Sequence, residues 1–229
     1  MGQIVSFFSP CFENYDDNVY TNNIKNNNFD KKNTKNENDD IINTIKNKSF
    51  LYSNELDLLG EDRTYGGNLL YIDMIPKVCW FKNIRNCINP RDWNLLRKKI
   101  YKRVDYKCEC CGFDALKYNK SLEAHERWEF DYNTNTQKLK RIIALCKYCH
   151  LATHLGFSKK INMYSVIKNH LKKIRNFDDI ELDKHIKEAY NICNYKNKFF
   201  WKLDLSILDD NNIEYNQNQY NDDEYENID

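Results

Sequence analysis

No window of this 229-residue chain approaches the roughly 20 apolar residues that a membrane-spanning helix needs, so a soluble body is expected. The N-terminus lacks a basic region followed by an apolar run of about 8 residues, which argues against a secretory signal. Residues 209–229 contain no Lys or Arg at all and carry a net charge of −8. That absence uncovers a segregation hidden by the total of +1: residues 1–68 sum to −4 and residues 69–208 to +13. A basic body beside an acidic tail fits a polyanionic partner, most simply nucleic acid. The bland alternative is a Lys-rich solvated surface.

Nine cysteines would suit a disulfide framework in a secreted protein, but their number is odd and four of them fall in Cys-x-x-Cys spacing. Thiolate–zinc bonds in an intracellular, reducing compartment are the better reading. Residues 1–68 are expected to form a disordered, Asn-rich arm, with twelve Asn in the first 50 positions and little apolar surface to offset the entropy of ordering. An ordered domain is expected over 69–208, and a disordered acidic tail over 209–229. Within the arm, Met1-Gly2-Gln3-Ile4-Val5-Ser6 fits the N-myristoylation pattern, which makes Gly2 a candidate lipidation site. Cys11 could take the second acyl chain that stable membrane association requires.

In the ordered region Asn89-Pro90 marks a helix start. Trp93, Leu96, Ile100 and Val104 then recur at helical spacing, with Arg97, Lys98, Lys99, Lys102 and Arg103 on the other faces. Residues 121–145 read as a β-hairpin turning at Asn133-Thr134-Asn135-Thr136. A short helix is expected from Cys149 to Leu155, stopped by Gly156, with His150 and His154 four residues apart on one face. Two further helices carry the stripes Met163, Ile167, Leu171, Ile174 and Leu182, Ile186, Ala189, Cys193. Asp178 or Asp179 caps the second. Trp201 to Leu208 reads as extended, and the four tryptophans are expected mainly in the core. His170 and His185 read as packed or surface imidazoles.

The chemistry concentrates between residues 108 and 154. Cys108, Cys111, Cys146 and Cys149 form two Cys-x-x-Cys pairs separated by 34 residues, the grammar of a closed, structural Zn2+ site. Cys110 competes with Cys111, although Gly112 after Cys111 eases the knuckle turn.

A hairpin with His125 on its first strand, followed by Cys-x-x-Cys, His150 and a second His one turn on, resembles the ββα-metal core of the HNH endonucleases. The likeness to small bacterial and phage HNH proteins runs over roughly 74–208. It takes in Ile75-Pro76-Lys77-Val78-Cys79-Trp80, Glu123-Ala124-His125-Glu126-Arg127-Trp128 and Trp201-Lys202-Leu203-Asp204. This resemblance implies an α+β fold with flanking helices, and metal-assisted hydrolysis of DNA phosphodiester bonds. His125 would be the general base, His150 and His154 the ligands of a divalent ion such as Mg2+ or Mn2+, and Glu123 a candidate carboxylate on the same strand face as His125. The chain departs from the family pattern at Ala124, where an acid or His is usual, and at Arg141, where an Asn normally orients the base. Arg141 can instead reach a phosphate, and Asp131 and Glu126 are substitute carboxylates. The rival readings are a zinc-stabilised nucleic-acid-binding module with weak or no catalysis, and a membrane-tethered scaffold using Gly2.

Overall fold

The computed structural model describes residues 56–216; Gly2, Cys11 and most of both expected tails lie outside the described residues. The described part is a mixed α+β assembly centred on a long hairpin. Strand β1 (Glu123–Asp131) pairs antiparallel with β2 (Thr136–Leu145), Glu123 opposite Leu145 and Asp131 opposite Thr136. Its turn forms because Asp131 accepts hydrogen bonds from Asn133 N (2.8 Å) and from the Thr134 hydroxyl (2.9 Å). Asn135 takes the left-handed conformation (φ 50°) that Asn tolerates. A register slip between Arg127 and Trp128 is a bulge that twists the hairpin. The second half of β2, from Arg141 to Leu145, is buried residue after residue, because both faces are covered. Strand β3 (Lys202–Asp204) adds in parallel beside the start of β2.

Helix α1 (Ile84–Cys87) is capped by Asn83. Asn89 caps α2 (Pro90–Lys102) by accepting from Asp92 N at 2.9 Å. Leu96 and Ile100 of the expected stripe are fully buried. The basic face is not all solvated: Lys99 is buried, and the Arg103 guanidinium pairs with Glu61 inside the protein. That pair also moves the domain boundary. Glu61 accepts the Ile142 N–H at 2.9 Å and Leu58 is buried, so the packed body begins before residue 69. It also runs past residue 208, because Ile213 is buried and Asn216 N donates to Cys87 O.

After β2 come α3 (Lys147–Thr153) and α4 (Leu155–Lys160). The break falls at His154 (φ −101°, ψ 47°), and Gly156 lies inside α4 rather than ending a helix. Helix α5 (Tyr164–Arg175) buries Ile167 and Leu171. A reciprocal Asp178–Glu181 capping box opens α6 (Asp179–Lys196). The expected extended stretch 201–208 divides into β3 and α7 (Ser206–Asp210), because Asp204 accepts from Ser206 N and turns the chain. Trp128 and Trp201 are core residues, whereas Trp80 is 40% exposed. No helix among the described residues is long and apolar enough to cross a membrane.

Candidate metal centres

Two knuckles carry the four sulfurs. In the first, Gly112 adopts φ +72° and its N–H donates to Cys108 O at 2.8 Å, while Cys108 N donates to Phe113 O at 2.9 Å. The second is the start of α3, where His150 N donates to Cys146 O. A bond from Glu109 N to Ala144 O ties the first knuckle to the end of β2. The sulfurs of Cys108, Cys111, Cys146 and Cys149 lie within 4.8 Å of one another, and Cys111 and Cys146 are 3.7 Å apart. Zinc–sulfur bonds of about 2.3 Å give a tetrahedron with edges of about 3.8 Å. The cluster is therefore close enough to bind a metal ion and is consistent with zinc. Cys111, then Cys146 and Cys149, hold the Cys108 thiol below the ordinary range, while Cys108, then Cys111, push the thiols of Cys146 and Cys149 up. Four thiolates at this spacing need a cation between them. Cys110 takes no part: its sulfur faces the Arg127 guanidinium, and burial pushes its thiol up to about 12.

A second set lies behind the hairpin. His125 comes from β1, His150 from α3 and His154 from the break between α3 and α4; one ring nitrogen from each lies within 4.8 Å of the others. Ring centroids are 4.9 Å apart for His125 and His154, 4.8 Å for His150 and His154, and 5.5 Å for His125 and His150. Burial lowers the pKa of His125 and holds that of His154 well below the usual imidazole value. Neutral rings keep the lone pairs that a metal ion takes. His125 Nε2 and His150 Nδ1 are buried without a hydrogen bond. Leaving a buried nitrogen unpaired costs about 1–3 kcal/mol, and the polar group beside each of these two atoms is a carboxylate.

Carboxylates flank the set. Glu123 Oε2 contacts His150 Nδ1, so the acid expected beside His125 serves the helix histidine instead. The acid facing His125 is Asp73, whose Oδ2 is 3.8 Å from Nε2. Neither substitute carboxylate joins the three rings. Asp131 is occupied by the hairpin turn, and Glu126 accepts from Ile84 N at 2.8 Å, with burial pushing its carboxyl up to about 7.

Arg141 is a correction. Its guanidinium is buried and donates to Gly67 O (2.7 Å), Asn68 Oδ1 (3.1 Å) and Glu109 Oε2 (2.6 Å). It braces β2 against the first cysteine knuckle, and at 1% exposure it offers no surface to a phosphate. Arg127 reaches the same Gly67 carbonyl and also Leu69 O at 2.9 Å, with its guanidinium over the Tyr71 ring. Together the two arginines hold residues 67–69 on the hairpin, which is why Asp73 arrives at the histidines.

Asp73 escaped the sequence reading, and His170, expected as a packed or surface imidazole, lies beside the cysteine cluster. His170 Nε2, from α5, sits 3.2 Å from Cys149 Sγ, where it can donate to a thiolate. Nothing in its spacing marked it. His185 packs beside Phe177 and accepts Ile72 N–H at 3.2 Å, a packed imidazole as expected. No protein-family model, no curated protein and no solved structure matches this chain.

Proposed function

We propose that this protein is an HNH-type, metal-dependent endonuclease that hydrolyses DNA phosphodiester bonds, with a zinc-stabilised ββα-metal core. The observation that carries the reading is the convergence of His125, His150 and His154 on a hairpin and the helix directly after it. The basic character of residues 69–208 supports a polyanionic substrate whose phosphates meet Lys and Arg side chains. A divalent ion bound by the rings would supply Lewis-acid stabilisation of the phosphate charge and of the leaving oxyanion. Three imidazoles suit Mn2+, Ni2+ or Zn2+ better than Mg2+, which prefers oxygen ligands. His150 on α3 and His154 at its C-terminal end would hold the ion, and Glu123, against His150 Nδ1, would keep that ring in orientation. The resemblance makes His125 a general base, but its ring is 4% exposed and lies within the same nitrogen set. We therefore assign it as a third ligand.

Supercoiled plasmid incubated with Mn2+, Ni2+ or Mg2+ tests the reading. Nicking is expected with Mn2+ or Ni2+, abolished by EDTA, and reduced at least ~100-fold in His125→Ala. An His125→Ala protein that loses nicking but binds Mn2+ with unchanged affinity returns His125 to the general-base role. Tight DNA binding without nicking by any metal replaces the enzyme with a zinc-stabilised binding module.

A further inference from the structure

We infer that Asp73 is the positioning residue of the histidine cluster: its carboxylate faces His125 Nε2 and fixes the tautomer whose Nδ1 lone pair a divalent cation takes. The inference rests on the cluster being a metal centre, as proposed above, and deepens it.

Three observations carry it. The His125 Nε2 atom is buried and makes no hydrogen bond, and the polar atom recorded against it is Asp73 Oδ2, 3.8 Å away. Metal-binding imidazoles usually donate their second N–H to a carboxylate or carbonyl. Glu123 already stands in the same relation to His150, so Asp73 completes a matching pair. Asp73 is also held in place: its N–H donates to Thr153 O at 2.9 Å, one residue before His154. Upstream, Arg175 donates to Leu70 O at 2.8 Å and Ile72 N–H donates to His185, while Leu70 and Ile72 are buried. One segment is therefore fastened both to the end of α3, next to His154, and through Arg127 to the strand that carries His125. Asp73 is not in the tight set of three nitrogens, which fits an orienting group rather than a ligand.

The test uses the full chain with zinc in the cysteine site, titrated with Mn2+ by calorimetry or electron paramagnetic resonance. Asp73→Asn should weaken Mn2+ binding about 10–100-fold, with zinc content and melting temperature unchanged, and Asp73→Glu should recover part of the affinity. Affinity within about twofold of wild type in Asp73→Asn overturns the inference, on the same scale of outer-partner effects. So does a loss as complete as that of His125→Ala, which would make Asp73 a ligand. Should Asp73→Asn fail to fold, Asp73→Ser takes its place under the same criteria. Wild-type protein that binds no Mn2+ removes both the inference and the metal centre. Wild-type protein that binds Mn2+ but nicks no DNA ends the nuclease reading and leaves the role of Asp73 standing.

Discussion

At the scale of single residues, charge decides more than residue type. Arg141 and Glu109 form a buried ion pair at 2.6 Å, and burial draws the Arg141 pKa down while Glu109 opposes that shift. Removing one partner of a buried pair strands the other, at a cost of about 3–5 kcal/mol. Arg141→Met should therefore lower stability by about that much in urea unfolding of the zinc-loaded protein. The double variant Arg141→Met/Glu109→Gln should recover a large part of it, since replacing both charges is often close to neutral. A phosphate-binding role would look different: DNA affinity would fall while stability stayed constant. Asp73 illustrates the same point, since it is uninformative until the fold sets its carboxylate 3.8 Å from a buried ring nitrogen of His125.

At the scale of elements, α6 docks through a hydrogen bond that depends on pH. His185 accepts the Ile72 N–H, which only a neutral ring nitrogen can do. Burial, then the positive charge of Arg175, lowers its folded pKa below the usual 6.5. In the unfolded chain the ring titrates near 6.5, so between the two values the unfolded state binds more protons. Stability is full above about pH 6.5 and falls as pH drops towards the folded value. His185→Gln keeps an acceptor without the titration. Its urea midpoint should therefore fall less than that of wild type between pH 7.5 and pH 5.5. The residual slope belongs to His125, His154 and His170, whose pKa values are lowered in the same direction, offset in part by Glu126, whose carboxyl burial pushes up to about 7 and which therefore favours the folded state at the lower pH. An equal slope in both proteins would remove His185 as a contributor.

The elements themselves were largely legible. The hairpin, the Asn89 and Asp178 caps and the α5 stripe are local features, set by turn chemistry and period, and they stand where the spacing puts them. The break at His154 was not legible, because Gly156 takes a helical conformation there and the interruption comes two residues earlier.

At the scale of the molecule, the four cysteines could be read because a metal knuckle has a short-range sequence grammar. The histidine trio could be read because two of its members share a helix face. The supports could not: Arg127, Arg141, Glu61 and Asp73 act across 30 to 80 positions in sequence, where neither period nor motif operates. A charged residue on an expected solvated face, such as Lys99 or Arg103, became buried for the same reason.

The carbonyl of Gly67 accepts from both Arg127 and Arg141, and Arg141 in turn leans on Glu109 in the first cysteine knuckle. Glu109 lies between Cys108 and Cys111, so closing that knuckle helps to fix its place. On the proposed reading, an ion in each site would help to hold the scaffold on which the other depends, the first through Glu109 and the second through Asp73. Linkage then makes the favour mutual: the factor by which zinc tightens Mn2+ binding equals the factor by which Mn2+ tightens zinc binding. Competition with a graded chelator, run with and without Mn2+, should show zinc retained to higher chelator concentration when Mn2+ is present. Identical zinc release curves would mean that the two centres share a wall but no free energy.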